Sequence, residues 1–113
     1  MLATGWHGGN AASPREPAGY GIKFSIADRD ASFDESWTHA VLELDGAGSV
    51  SIPLSPSFWR SCSELRSAEV GRWLLASKVA PWPKHNPPGI VVKHIDGNRF
   101  SARVHVRKTL PLR

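Results

Sequence analysis

Period-two alternation of apolar and polar residues marks about five strands along the chain. Ile22, Phe24 and Ile26 alternate with Lys23 and Ser25, which predicts a half-buried strand near Tyr20–Ile26. His39–Asp45 and Ser49–Leu54 are two alternating runs around Gly46-Ala47-Gly48, and they predict a hairpin. Pro53 has no N–H to give a ladder, so its strand lies at an edge or ends there. The last two runs, Ile90–Ile95 and Asn98–Val106, surround Asp96-Gly97. A two-residue turn on Asp96-Gly97 would set Val92 against Ser101 and Lys93 against Phe100, mixing the faces. A three-residue loop ending on Gly97 in the left-handed region sets Val92 against Phe100 and Ile90 against Ala102. That register keeps apolar against apolar and is preferred.

Helical spacing lies between the hairpins. Asp28 can cap a short turn whose apolar edge is Ala31, Phe33 and Trp37. Ser55 can cap a second helix with Pro56 at its first position, where no N–H is needed. Phe58, Cys62 and Leu65 then fall at i, i+4, i+7. Ser67 can cap a further segment carrying Val70, Trp73 and Leu74 on one face. Pro56–Ser77 is therefore one bent helix or two. Gly71 weakens its middle by roughly 1 kcal/mol relative to Ala. Pro81, Pro83, Pro87 and Pro88 force an extended connection around Trp82 and His85. That segment either lids the core or presents a polyproline surface.

At 113 residues the chain has room for one domain, and its 41% apolar content can supply a core. Residues 1–19 mix Gly, Pro, Ala and Ser without a period and read as a flexible arm, in which Trp6 and His7 are the only anchors. The expected organisation is that arm, a single α+β domain over 20–108, and a short basic tail over 109–113. A single cysteine excludes an intramolecular disulfide framework. No apolar run reaches the ~18 residues of a membrane helix. No basic leader with an apolar stretch opens the chain, so the expected location is the cytoplasm, away from the membrane.

The net charge of +4 is unevenly spread. Residues 1–56 have a balance of −4 and residues 57–113 one of +8. In the last hairpin Arg99, Arg103, His105 and Arg107 alternate with core residues, and Lys93 falls opposite Arg99 in the preferred register. Like charges facing across a ladder destabilise it unless carboxylates or a polyanion intervene. A nucleic acid would gain from such a stripe by counterion release. A solvated face with edge-protecting charges is the competing reading.

The order of Ile22–Ile26, Val41–Leu44, Val50–Leu54, Phe58–Leu75 and Ile90–Val106 resembles that of the DNA-binding pseudobarrel domains, the group of the B3 and restriction-enzyme effector domains. The resemblance covers roughly Gly21–Arg107 and implies DNA gripped by arms between strands. The fold class expected from the residues is α+β: a curved antiparallel sheet or partly open barrel packed on one helical segment.

Other constellations carry less. Asp28, Asp30, Asp34 and Glu35 fail as an EF-hand loop, because Phe33 and His39 stand where glycine and glutamate are required. Cys62 shares its helical face with Phe58 and Leu65 and reads as buried and inert. His94 falls beside Val92 on the apolar face. Of the tryptophans, Trp37 and Trp73 fit the core, whereas Trp59 and Trp82 do not. The leading reading is a non-enzymatic domain, with no metal or cofactor, that binds nucleic acid or another polyanion through Lys93, Arg99, Arg103, His105 and Arg107. The alternative is a protein-interaction module or homodimer using Trp59, Trp82 and His85, or a small-molecule pocket lined by aromatics.

Overall fold

Serine caps decide where two of the helices begin. Ser25 accepts from the Asp28 N–H and starts α1 (Ile26–Ser32), so Asp28 lies inside the first turn and the cap is three residues earlier than expected. Ser67 accepts from the Glu69 and Val70 N–H groups and starts α3 (Ala68–Ala76), as its spacing predicts. Between them α2 (Pro56–Arg60) opens on its proline. The computed structural model describes residues 1–8, 15–60 and 62–105. Its strands are β1 (Leu2–His7), β2 (Tyr20–Lys23), β3 (His39–Leu44), β4 (Gly48–Pro53), β5 (Glu64–Arg66), β6 (Gly89–Asp96) and β7 (Arg99–Val104).

These form one seven-stranded sheet in the order β4-β3-β7-β6-β1-β2-β5. It curls until it is nearly closed and barrel-shaped, which makes the fold α+β with a partly open barrel. The sheet is mixed, not wholly antiparallel, because β3 and β7 run parallel. Three helices pack on it in place of one helical segment. β4 is an edge, as Pro53 requires.

Two strands were not legible. Leu2–His7 is no arm: β1 lies between β6 and β2. Gly5 gives it no apolar side chain to read, yet a Cβ there would stand 3.0 Å from both Trp82 and Pro88. Glycine at this position makes room for the proline segment. The arm's remaining stretch, 9–14, falls outside the described residues, as do 106–113. β5 was hidden by helical spacing. α2 stops at Arg60, and Leu65 is buried as a strand residue opposite Ile22. Cys62, freed from that helix, is exposed, which corrects its expected burial.

The β6–β7 hairpin differs in register from the preferred one by two residues. Val92 opposes Ala102, His94 opposes Phe100 and Ile90 opposes Val104. Apolar positions still face apolar positions. A bulge between His94 and Asp96 absorbs one residue, and the turn falls on Gly97-Asn98, with Gly97 at φ +47°. Lys93 therefore opposes Ser101, not Arg99. Asn98 Nδ2 donates to His39 O at 3.0 Å and fastens the turn to the start of β3.

One continuous core runs between the two ends of the strands. At one end Phe33 stacks on Phe100 with centroids 4.8 Å apart and meets Phe24 and Phe58 edge-on at 5.2 Å. At the other, α3 buries Val70, Trp73 and Leu74, and the Trp73 indole N–H donates to Asp45 O at 3.0 Å, beyond the end of β3. A Cβ on Gly71 would come within 1.9 Å of Pro17 O, so α3 sits against the 3-10 turn Pro17–Gly19 backbone to backbone.

Candidate functional site

The outward face of β7 carries Arg99, Ser101 and Arg103, alternating with buried Phe100 and Ala102. Parallel pairing brings β3 alongside, and with it Glu43 opposite Ser101. Arg99 donates a short hydrogen bond to Glu43 and lies 3.6 Å from Asp96. The Glu43 hydrogen bond and charge, and then Asp96, hold its pKa above the ordinary arginine value. A row Glu43–Ser101–Lys93 thus crosses three strands with both signs of charge. Lys93 and Arg103 are exposed without an ion pair among the described residues, but they share a shallow depression with Glu43 and Asp45. His105 is exposed past β7, its backbone N–H donating to Gly89 O at 2.8 Å. Arg107 lies outside the described residues.

Trp59, Trp82 and His85 do not form one surface. Trp82 packs edge-on against Tyr20 at 5.4 Å and lines a groove of about 450 Å³ with Leu2, Pro88 and His105. His85 is exposed on the turn before Pro87, at φ 63°. Trp59 belongs elsewhere. It walls a cleft of about 810 Å³ between α1, the segment that follows it, the end of α2 and the tip of the β6–β7 hairpin.

Arg29 builds this cleft. It is only 6% exposed, in the last turn of α1. Its Nη1 donates to Phe58 O at 2.9 Å, and Nε and Nη2 reach Asp30 Oδ1 at 3.0 and 2.9 Å. Its Cζ lies 5.4 Å from the Trp59 ring centroid. One side chain thus ties α1 to α2 and fixes an indole. Trp37 forms another wall, edge-on to Phe33 and Phe100 at 6.2 Å each, and both indoles are half-buried. The rim carries Asp34 and Glu35, both exposed. The Ser36 N–H, 2.8 Å from Asp34 Oδ1, and then the Ser36 hydroxyl hold Asp34 below the usual carboxylate range. His94 completes the rim. It lies on the Val92 face as expected, opposite Phe100 with its ring 5.2 Å away, but is solvent-exposed, and its Nε2–H donates to Gly97 O at 2.7 Å.

Sequence spacing flagged Trp59 and Trp37 separately but gave Arg29 no role. A cation beside acidic neighbours on a short helix looks solvent-facing until the tertiary fold brings Phe58 O to it. Among the described residues no three His, Cys, Asp or Glu side chains gather as a metal site, and no helix is long and apolar enough to cross a membrane. The cleft offers aromatic faces, a fixed guanidinium and carboxylates, which is binding chemistry. Comparison with protein-family models, curated proteins and solved structures finds no match.

Proposed function

We propose that this chain is a small binding domain whose ligand site is the cleft walled by Trp37 and Trp59, with Arg29 as its internal brace. The observation that carries the reading is the pair of half-buried indoles lining one cleft of about 810 Å³ beside a buried arginine. Ligand pockets combine aromatic walls with a few fixed polar groups at volumes of roughly 300–1,000 Å³. Trp73, by contrast, is buried. The test is a panel of small charged and neutral organic fragments titrated while tryptophan emission is read. A saturable response in the wild type that is lost in Trp59→Ala supports the reading. No saturable response to any fragment overturns it.

Nucleic-acid binding through the strand face is a second reading. Lys93 and Arg103, exposed and without ion pairs among the described residues, favour it, with His105 beyond them. Arg99 contributes less, because Glu43 and Asp96 already neutralise it. Binding of duplex or single-stranded DNA that weakens steeply with salt would support this reading. Binding that ignores salt, or none at low salt, ends it.

A further inference from the structure

We infer that the cleft takes a quaternary or methylated ammonium group, from a free small molecule or from a methylated lysine side chain. The inference rests on the cleft reading above and deepens it.

Charge decides the sign of the ligand. Among the described residues the only arginine or lysine lining the cleft, Arg29, is occupied: Asp30 and Phe58 O take its N–H groups. Asp34 and Glu35 remain on the rim without an ion pair among the described residues. The lining is therefore negative once internal pairing is subtracted, and an anionic ligand would meet repulsion there. The walls decide the type of cation. Indole faces attract cations through their quadrupole, and the cleft already places a guanidinium over Trp59. Trp37 supplies a second indole to the same cleft. A bare ammonium is strongly hydrated and loses that hydration against apolar walls. A methylated ammonium has little hydration to lose and presents methyl groups to the rings, the combination aromatic cages recognise. Asp34 and Glu35 add attraction without having to donate or accept a proton.

The test compares choline with 3,3-dimethylbutan-1-ol, its neutral carbon isostere, by calorimetry and tryptophan emission. A short peptide carrying trimethyllysine and its unmethylated form are run beside them. The expected result is choline at least about tenfold tighter than the isostere, the size a desolvated cation–π contact of about 1.4 kcal/mol gives. Asp34→Asn with Glu35→Gln should weaken choline about fivefold and leave the isostere unchanged. Both positions are exposed, so the fold tolerates the change. Binding of the trimethyllysine peptide alone supports the cation chemistry and assigns its source to a protein side chain. Equal affinity for choline and the isostere overturns the inference while the cleft reading stands. So does binding of neutral fragments with no ammonium probe bound. If no probe of any kind binds, both readings fall together.

Discussion

At one end of the sheet α3 drives Trp73 into the interior, 5% exposed and hydrogen-bonded to Asp45 O. At the other end α1 and the segment after it bring Phe33 inward but leave Trp37 and Trp59 half-buried around a cleft. Both ends carry aromatic side chains on or beside helices. The difference lies in how closely the backbone approaches. Gly71 lets α3 meet Pro17 with no space between them. α1 and α2 are held together by the Arg29 side chain, a longer and more polar spacer. The helix docked on glycine leaves a cleft of about 370 Å³ beside a buried Trp73, whereas the helix docked through an arginine leaves about 810 Å³ between half-buried indoles.

Truncating the two kinds of tryptophan is the most forceful way to break this comparison. Trp73→Ala should cost about 3–5 kcal/mol in urea unfolding, the range for a buried aromatic. Trp59→Ala should cost about 1 kcal/mol and abolish cleft binding. Equal costs would mean that the two ends are packed alike. Gly71→Ala comes next. Helix propensity alone predicts a gain of roughly 1 kcal/mol. The close approach to Pro17 predicts a net loss of about 1–3 kcal/mol instead, because backbone must part to admit a methyl group. A stabilised Gly71→Ala variant would remove the account of how α3 docks on Pro17.

Arg29→Met sharpens the other side. The stem's packing is kept, but Phe58 O loses a charged donor while Asp30 stays exposed to water. A loss of about 2 kcal/mol is expected, with Trp59 emission shifted to the red. An unchanged emission would show that Trp59 does not depend on this brace. Tyr20 offers a titration of the sheet interior. It is the single tyrosine, and burial raises its pKa. The folded phenol should stay protonated above about 10, where the unfolded one ionises. Its contribution is full below that pH and is lost as pH rises through the higher folded value. Absorbance of the phenolate checks it: ionisation at the free-tyrosine midpoint without unfolding would contradict the packing of Tyr20 beneath Trp82. The smallest effect belongs to the strand face. Glu43→Gln removes one of the two carboxylates beside Arg99, leaving Asp96, and should leave thermal stability unchanged. It should raise DNA binding at low salt if that face binds polyanions at all, and DNA binding unchanged by the substitution counts against the second reading.

Much of the frame was readable where alternation is clean. The β3–β4 hairpin falls around its glycines, with Leu42 opposite Val50. Ser67 and Pro56 start their helices. Illegible elements are those whose reason lies in another part of the chain. Gly5 reads as flexibility until Trp82 and Pro88 lie over it, and Leu65 reads as helix until Ile22 pairs with it. The β6–β7 register failed for a local reason: a bulge after His94 preserves apolar pairing equally well two residues along. The cleft was half visible. The spacing sets Trp59 off its helical face and fits Trp37 to the core, but that both line one cleft beside Arg29 is set by tertiary contacts alone.

The five tryptophans give the most direct measurement, because each indole N–H has its own signal in a nitrogen–proton correlation spectrum. Titration with choline should move the Trp37 and Trp59 signals together and saturably, and leave Trp73 in place. Movement of Trp73, Trp6 or Trp82 with Trp37 and Trp59 unmoved would contradict the account.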